Sequence, residues 1–305
     1  MSNLTRTAEQ ECDFVVGCGA IAEIIEPKSR ELGGFSVRRA LPSREQQMVG
    51  PWIFFDHMGP ADFAAGQGIN VRPHPHIGIC TVTYLFEGEI LHRDSLGSLQ
   101  PIRPGDINLM VAGSGIVHSE RERDEVRSLS HRLHGLQLWL ALPKGQEEIA
   151  PEFHHYPSQK IPAITVDDVP VRVIMGSAYG VESPVKTYAE TLYVEAHLQA
   201  GQRITLPDVE ERAVYVAAGK LNARDMEIPE FSMAVFRQES GVELVAAEES
   251  RIAIIGGEPF DRRHIVWNFV SSRAERIDQA VNDWKQGNFA RVPGDEEEYI
   301  PFPDK

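Results

Sequence analysis

The chain is poor in cysteine. Three residues, Cys12, Cys18 and Cys80, stand in 305, an odd number with no C-x-x-C pair. That excludes a disulfide framework and points to a reducing compartment. Positive charge is also scarce: 30 Lys and Arg against 45 Asp and Glu give a formal net charge of −15. A field of that sign repels phosphate backbones and anionic lipid, so no direct nucleic-acid contact and no membrane-surface role are expected. No apolar run approaches the length that spans a bilayer. The opening MSNLTRTAEQEC is polar and lacks the basic-then-apolar order of a signal peptide, which makes a cytoplasmic location the expectation.

Helical periodicity is missing from most of the chain as well. From Phe35 to Pro259 it consists of short β-type runs, such as TVTYLFEG, DINLMVAG, LQLWLALP and TLYVEAHL, separated by Gly, Pro, Asn and Asp. Such spacing predicts an all-β sandwich or barrel. The segment Tyr84-LFE-Gly88-EILH-Arg93-Asp94 returns as Tyr215-VAA-Gly219-KLNA-Arg224-Asp225, at a constant offset of 131 residues. This repeat predicts two copies of one β-barrel. The expected organisation is a first barrel over 1–145, a linker over 146–170, a second barrel over 171–260, and a C-terminal helix with an acidic tail over 261–305. Ile277, Ala280, Val281 and Trp284 supply the stripe of that helix, with Ser272 and Glu275 as a capping box and Gly287 at its end. Because the duplication already supplies two barrels, a monomer is expected.

Two short patterns carry the chemistry. On a strand, residues i and i+2 point to one face. His74 and His76 in PHPHIG therefore project together, as do His118 and Glu120 in AGSGIVHSE. On neighbouring strands the two pairs can converge, offering three imidazoles and a carboxylate. This nitrogen and oxygen set suits Fe(II), Mn, Co, Ni, Cu or Zn, and four ligands on a six-coordinate ion leave two positions open. A closed structural zinc site fits less well, since it usually recruits cysteines. The competing reading is exposed or hydrogen-bonded histidines on strand edges; two pairs in one half of the chain favour the metal.

PHPHIGICTVTYLFEG followed by AGSGIVHSE and HGLQLWLALP resembles the pirin family of bicupins, over most of the chain from about Phe35 through the C-terminal helix. The resemblance implies two facing cupin barrels and one metal, usually iron, in the first, held by His74, His76, His118 and Glu120. It implies a quercetin 2,3-dioxygenase-like enzyme, with a flavonol-like aromatic substrate and O2 as partners and Glu120 as a catalytic proton acceptor. The alternative it carries is a non-catalytic, redox-responsive iron protein that binds a transcription factor or a metabolic enzyme. Shifting the four ligand positions by 131 lands on Thr205, Pro207, Glu249 and Arg251, so the second copy is expected to be metal-free, with His197 and His264 solitary.

Further positions are read with two meanings each. Cys80 stands where many relatives carry glutamate. Strict parity with His74 and His76 turns it toward the metal as a redox-sensitive thiol or distant ligand, while its favoured role is a small buried hydrophobe. His92 and Asp94 either orient ligands or serve turn chemistry in LHRDSLG. If Leu136, Leu138, Leu140 and Leu142 face the core between elements, Gln137 and Trp139 line the cavity; the reverse assignment is also open. Asp56 and His57, in FFDHMGP, resemble the family's segment at the pocket mouth and are expected in a loop without ligation.

Overall fold

A computed structural model describes residues 2–3, 5–31 and 35–304. Two barrels stand side by side. The first is built from a seven-stranded sheet, ordered Glu152–Tyr156, Ile107–Val111, Ile79–Glu87, His131–Ala141, Trp52–Phe63, Ser36–Leu41, Ser29–Glu31, and a four-stranded wall, ordered Val71–His76, Ile116–Arg121, Ile90–Asp94, Leu99–Ile102. The second repeats the plan with an eight-stranded sheet and a wall of Arg203–Thr205, Glu243–Ala246, Leu221–Ala223 and Met226–Ile228. Repeated β-branched and aromatic residues, with Gly88 and Gly219 both at positive φ (86° and 82°) after the matched tyrosines, set this duplicated geometry.

The strand ladder departs from chain order at two places. Cys12–Val16 and Ile21–Pro27, expected in the first unit, belong to the sheet of the second barrel, where Ile21–Pro27 pairs with Met233–Phe236. Glu152–Tyr156, expected in a linker, pairs with Ile107–Val111 of the first barrel. Nothing local in a strand sequence names so distant a partner.

Alternation along His131–Ala141 divides the first barrel's core. Leu136, Leu138, Leu140 and the following Leu142 join Trp52, Val82 and Tyr84 against Tyr193, Ala213, Tyr215, Ala253 and Ile255 of the second barrel. Trp52 Nε1 donates to the carbonyls of Leu192 and Gly256, both at 3.1 Å, across the same boundary. Trp139 points the other way, into the first barrel with Phe54, Ile79, Met110 and Ile116.

The C-terminal helix spans Ala274–Gln286, with Ile277 and Ala280 buried and Gly287 closing it at φ 73°. Its start corrects the capping-box expectation. Arg273 is the N-cap and makes no side-chain cap, because Ser272 is engaged elsewhere. The Ser272 backbone N–H and hydroxyl both donate to the carboxylate of Glu147, at 2.8–3.1 Å. Among the described residues no helix is long and apolar enough to cross a membrane.

Candidate metal centre

Register brings the two histidine-bearing strands together. Val71–His76 and Ile116–Arg121 run antiparallel with His118 opposite His74 and Ile116 opposite His76; the ladder slips between His118 and Glu120. Directly opposed side chains on one face sit about 5 Å apart. One ring nitrogen from each of His74, His76 and His118 therefore lies within 4.8 Å of the other two. Glu120 is also buried, at 2 % exposure, but stands outside that trio of atoms. Its Oε1 accepts a 2.5 Å hydrogen bond from Gln137 Nε2, which also donates to Thr83 Oγ1 at 3.2 Å.

The hydrogen bonds around the imidazoles decide which nitrogen is offered. His74 Nδ1 lies 2.9 Å from the Arg72 carbonyl, so it carries the proton and Nε2 keeps its lone pair. His92 Nε2 lies 2.9 Å from Asp94 Oδ2, which assigns that proton and leaves His92 Nδ1 as an acceptor. His118 Nδ1 then donates to it across 3.4 Å, again leaving Nε2 bare. Asp94 serves the turn as well, since its Oδ1 accepts the Leu96 and Ser98 backbone N–H groups at 2.9 and 3.0 Å. Both meanings read for His92 and Asp94 are thus present at one carboxylate.

Burial makes the trio unusual. His74 and His76 are fully buried and His118 is 1 % exposed. Burial pushes His74 down to about 3, and pushes His76 and His118 well below the ordinary imidazole range, with the neighbouring rings lowering them further. All three are neutral near pH 7. Among the described residues, His74 Nε2, His118 Nε2 and both nitrogens of His76 are buried without a hydrogen-bond partner. An orphaned buried polar atom costs about 1–3 kcal/mol, and three ring nitrogens, one from each imidazole and all within 4.8 Å of one another, fit a cation that uses their lone pairs. His76 packs edge-on against Trp139 at 4.9 Å, and Trp139 stacks on Phe54 at 3.8 Å, giving the site an apolar side.

Cys80 does not look into this site. Val71–His76 ends before Gly78, whose φ of 71° turns the chain before Ile79–Glu87 begins, and parity restarts there. Ile79 faces Trp139, Thr83 meets Gln137, and Cys80 lies in the core between the barrels. Burial pushes its thiol far up, so it is a small hydrophobe and not a reactive thiolate. Thr83 escaped the sequence reading, although alternation in TVTYLFEG places it opposite Val82 and Tyr84.

Asp56 and His57 are also corrected: they lie inside the long strand Trp52–Phe63, fully buried, and not in a loop at a pocket mouth. Asp56 accepts two bonds from Arg39, at 2.6 and 2.7 Å. His57 bridges the barrels, with Nδ1 3.0 Å from Tyr215 Oη and Nε2 2.7 Å from His134 Nε2. In the second barrel His197 contacts Glu249 at 3.0 Å, and the interior is aliphatic.

The Pirin family model matches residues 34–140, and the Pirin C-terminal cupin domain matches residues 193–290. A Pirin-like protein of Caulobacter vibrioides is 45% identical over 285 residues, covering 92% of this chain and 99% of the relative. The chain belongs to the pirin family. Its fold is that of a bicupin: a quercetin 2,3-dioxygenase structure from Acinetobacter baumannii superposes with a TM-score of 0.84 at 34% identity, over 92% of this chain and 96% of that one. A bacterial pirin from Escherichia coli, YhhW, solved in complex with nickel(II), shares the fold at a TM-score of 0.57 and 17% identity, over 77% of this chain and 96% of that one. In this pirin the first barrel holds the histidine trio.

Proposed function

We propose that this pirin is an iron-dependent dioxygenase that opens a flavonol such as quercetin with O2, at a site formed by His74, His76, His118 and Glu120. The observation that carries the reading is the set of neutral, fully buried imidazoles with unpartnered nitrogens, in a chain similar along nearly its whole length to a quercetin 2,3-dioxygenase. Bound iron would supply Lewis acidity toward the flavonol's adjacent 3-hydroxyl and 4-carbonyl and a one-electron route to dioxygen. The chain's own residues do the rest. Glu120 accepts the 3-hydroxyl proton, and the Gln137 amide holds its carboxylate plane by Oε1. Asp94 and His92 keep His118 in the tautomer that offers Nε2. Trp139 and Phe54 form a flat apolar side that suits an aromatic ring and keeps water out. The work is that of a cytoplasmic monomer.

One observation favours a second reading. The four side chains are at most 2 % exposed, so a substrate reaches them only when covering segments move. A closed iron site suits a redox-responsive binding protein better than an open one does. Oxygen uptake decides between them. Protein loaded anaerobically with Fe(II) is mixed with quercetin and air-saturated buffer, with His118→Ala as the matched control. Sustained uptake beyond one equivalent, absent from the control, is the expected result. No uptake by protein shown to hold iron overturns the enzyme and leaves the binding protein.

A further inference from the structure

The outer face of the wall that carries the histidines is covered, with Val117 2% exposed and Ser119 fully buried. Along Val71–His76 and Ile116–Arg121 the side chains at 74, 76, 118 and 120 point inward, which leaves Pro73, Val117, Ser119 and Arg121 on the outer side. Beside Pro73 and Val117 lies a half-open cavity of about 420 Å³, lined on its other side by Trp284, Phe289 and the acidic tail. The inner ladder is also weakened, since the register slips between His118 and Glu120. With a cavity beside it and a slip within it, this wall depends more on the tethers that span the cavity.

Four such tethers come from the tail after the C-terminal helix. Asp295 takes a bidentate pair from Arg121, Nε to Oδ2 at 2.6 Å and Nη2 to Oδ1 at 2.7 Å. Glu298 accepts from the same guanidinium at 2.8 Å. Arg93, on the next strand of the wall, donates to the Gly294 carbonyl at 3.2 Å, and the Ile300 N–H donates to the Pro73 carbonyl at 2.8 Å. The strongest of the four is the Arg121 fork. It is bidentate and charge-assisted, with the Asp295 side chain 9% exposed and the Arg121 side chain 22% exposed. Arg121 directly follows Glu120, so the fork fixes the backbone at the end of the ligand strand.

We propose that the acidic tail is a latch that positions the metal ligands, with Asp295 as its principal positioning residue. Asp295 touches neither the histidines nor a substrate; it acts through Arg121 on the strand that bears His118 and Glu120. Metal sites tolerate displacements of only about 0.5 Å; groups bonded directly to ligands change metal affinity by about 10–100-fold when removed, and Asp295, acting one residue further out through Arg121, belongs at the lower end of that range. The proposal rests on the metal reading above, but not on any particular reaction.

The test compares the full chain, Asp295→Asn, Asp295→Glu and His118→Ala, each loaded with Co(II). Two readouts are taken: the visible ligand-field bands, and the rate of Co(II) release to excess chelator. Asp295→Asn is expected to shift the bands and to speed release about tenfold, with Asp295→Glu returning most of both. Asparagine releasing Co(II) at the parental rate with an unchanged spectrum overturns the latch. Equal Co(II) uptake by the parent and His118→Ala overturns the metal reading, and the latch with it. Should Asp295→Asn fail to fold, Glu298→Gln removes one exposed tether of the same guanidinium, and a release rate no faster than the parent's again overturns the proposal.

Discussion

The two barrels make the same wall out of opposite materials. In the first, the wall presents His74, His76, His118 and Glu120 to the interior; in the second, the corresponding strands bury Ile204, Leu244, Ala246, Leu221 and Ile228. Burying an aliphatic side chain contributes about 1.5–3 kcal/mol, whereas each orphaned imidazole nitrogen costs a comparable amount. One barrel thus accepts an energetic deficit that a bound cation would relieve, and its twin supplies the firm partner it leans on. The shared boundary through Trp52, Tyr193 and Tyr215 makes that support direct. Duplication separates the two demands that a single small barrel would have to reconcile.

The contrast is sharpest at the histidines. His76→Ala should lower metal content from about one ion per chain to near zero, measured by elemental analysis after loading, without lowering the melting temperature of the metal-free protein. Metal content that stays at the parental level would mean that the two interiors do not differ as described. In the second barrel the reverse outcome is expected. Ile254→Ala should remove about 2–5 kcal/mol of stability in urea titration, while leaving metal content at the parental level.

The boundary between the barrels supplies a pH-dependent probe. His134 is pushed down to about 4, chiefly by burial and then by Arg251, Arg132 and Arg38, and burial lowers its partner His57 as well. Both fall below the unfolded value of about 6.5. Between those limits the unfolded chain takes up protons that the folded one refuses. This contribution to stability is therefore intact above about pH 6.5 and lost as pH falls toward about 4. Urea midpoints at pH 7 and pH 5 should show the fall, and His134→Gln should make it shallower while the buried His57, His74, His76 and His118 keep the remainder. The smallest effect is at Cys80. Cys80→Ala should cost about 1 kcal/mol or little more, as a small-volume loss in an interface core, and should leave metal affinity unchanged. A marked change in affinity would place the thiol back beside the metal.

Much of this difference was legible in the residues alone. The i, i+2 spacing selected the histidines of the buried trio and put Gln137 and Trp139 on one face, and the structure decided between the two faces left open for that pair. Alternation failed where the backbone stopped being a strand. One turn at Gly78 reversed the face of Cys80, and no count along the chain reveals a turn at positive φ beforehand. The same limit explains Asp56 and His57, whose burial depends on Arg39 and Tyr215 arriving from elsewhere. Shifting by 131 suggested the second copy, yet its buried positions are Ile204 and Leu206, not Thr205 and Pro207, so the repeat slips by one residue in that strand. Ser272 lost its capping role to Glu147, 125 residues away. Local chemistry was readable, and long-range partners were not.

The strand pair at the start of the chain has a consequence for how the protein is made. Ile21–Pro27 leaves the ribosome early, but its partner Met233–Phe236 follows roughly 200 residues later. At about 5–20 residues per second the early strands wait about 10–40 s for it. During that interval the first barrel's sheet can form from its own strands, since Ser36–Leu41 through Glu152–Tyr156 are already present. The second barrel cannot reach its eight-stranded form until Met233–Phe236 meets Ile21–Pro27. A gene cut between the barrels would leave the second half without two of its strands.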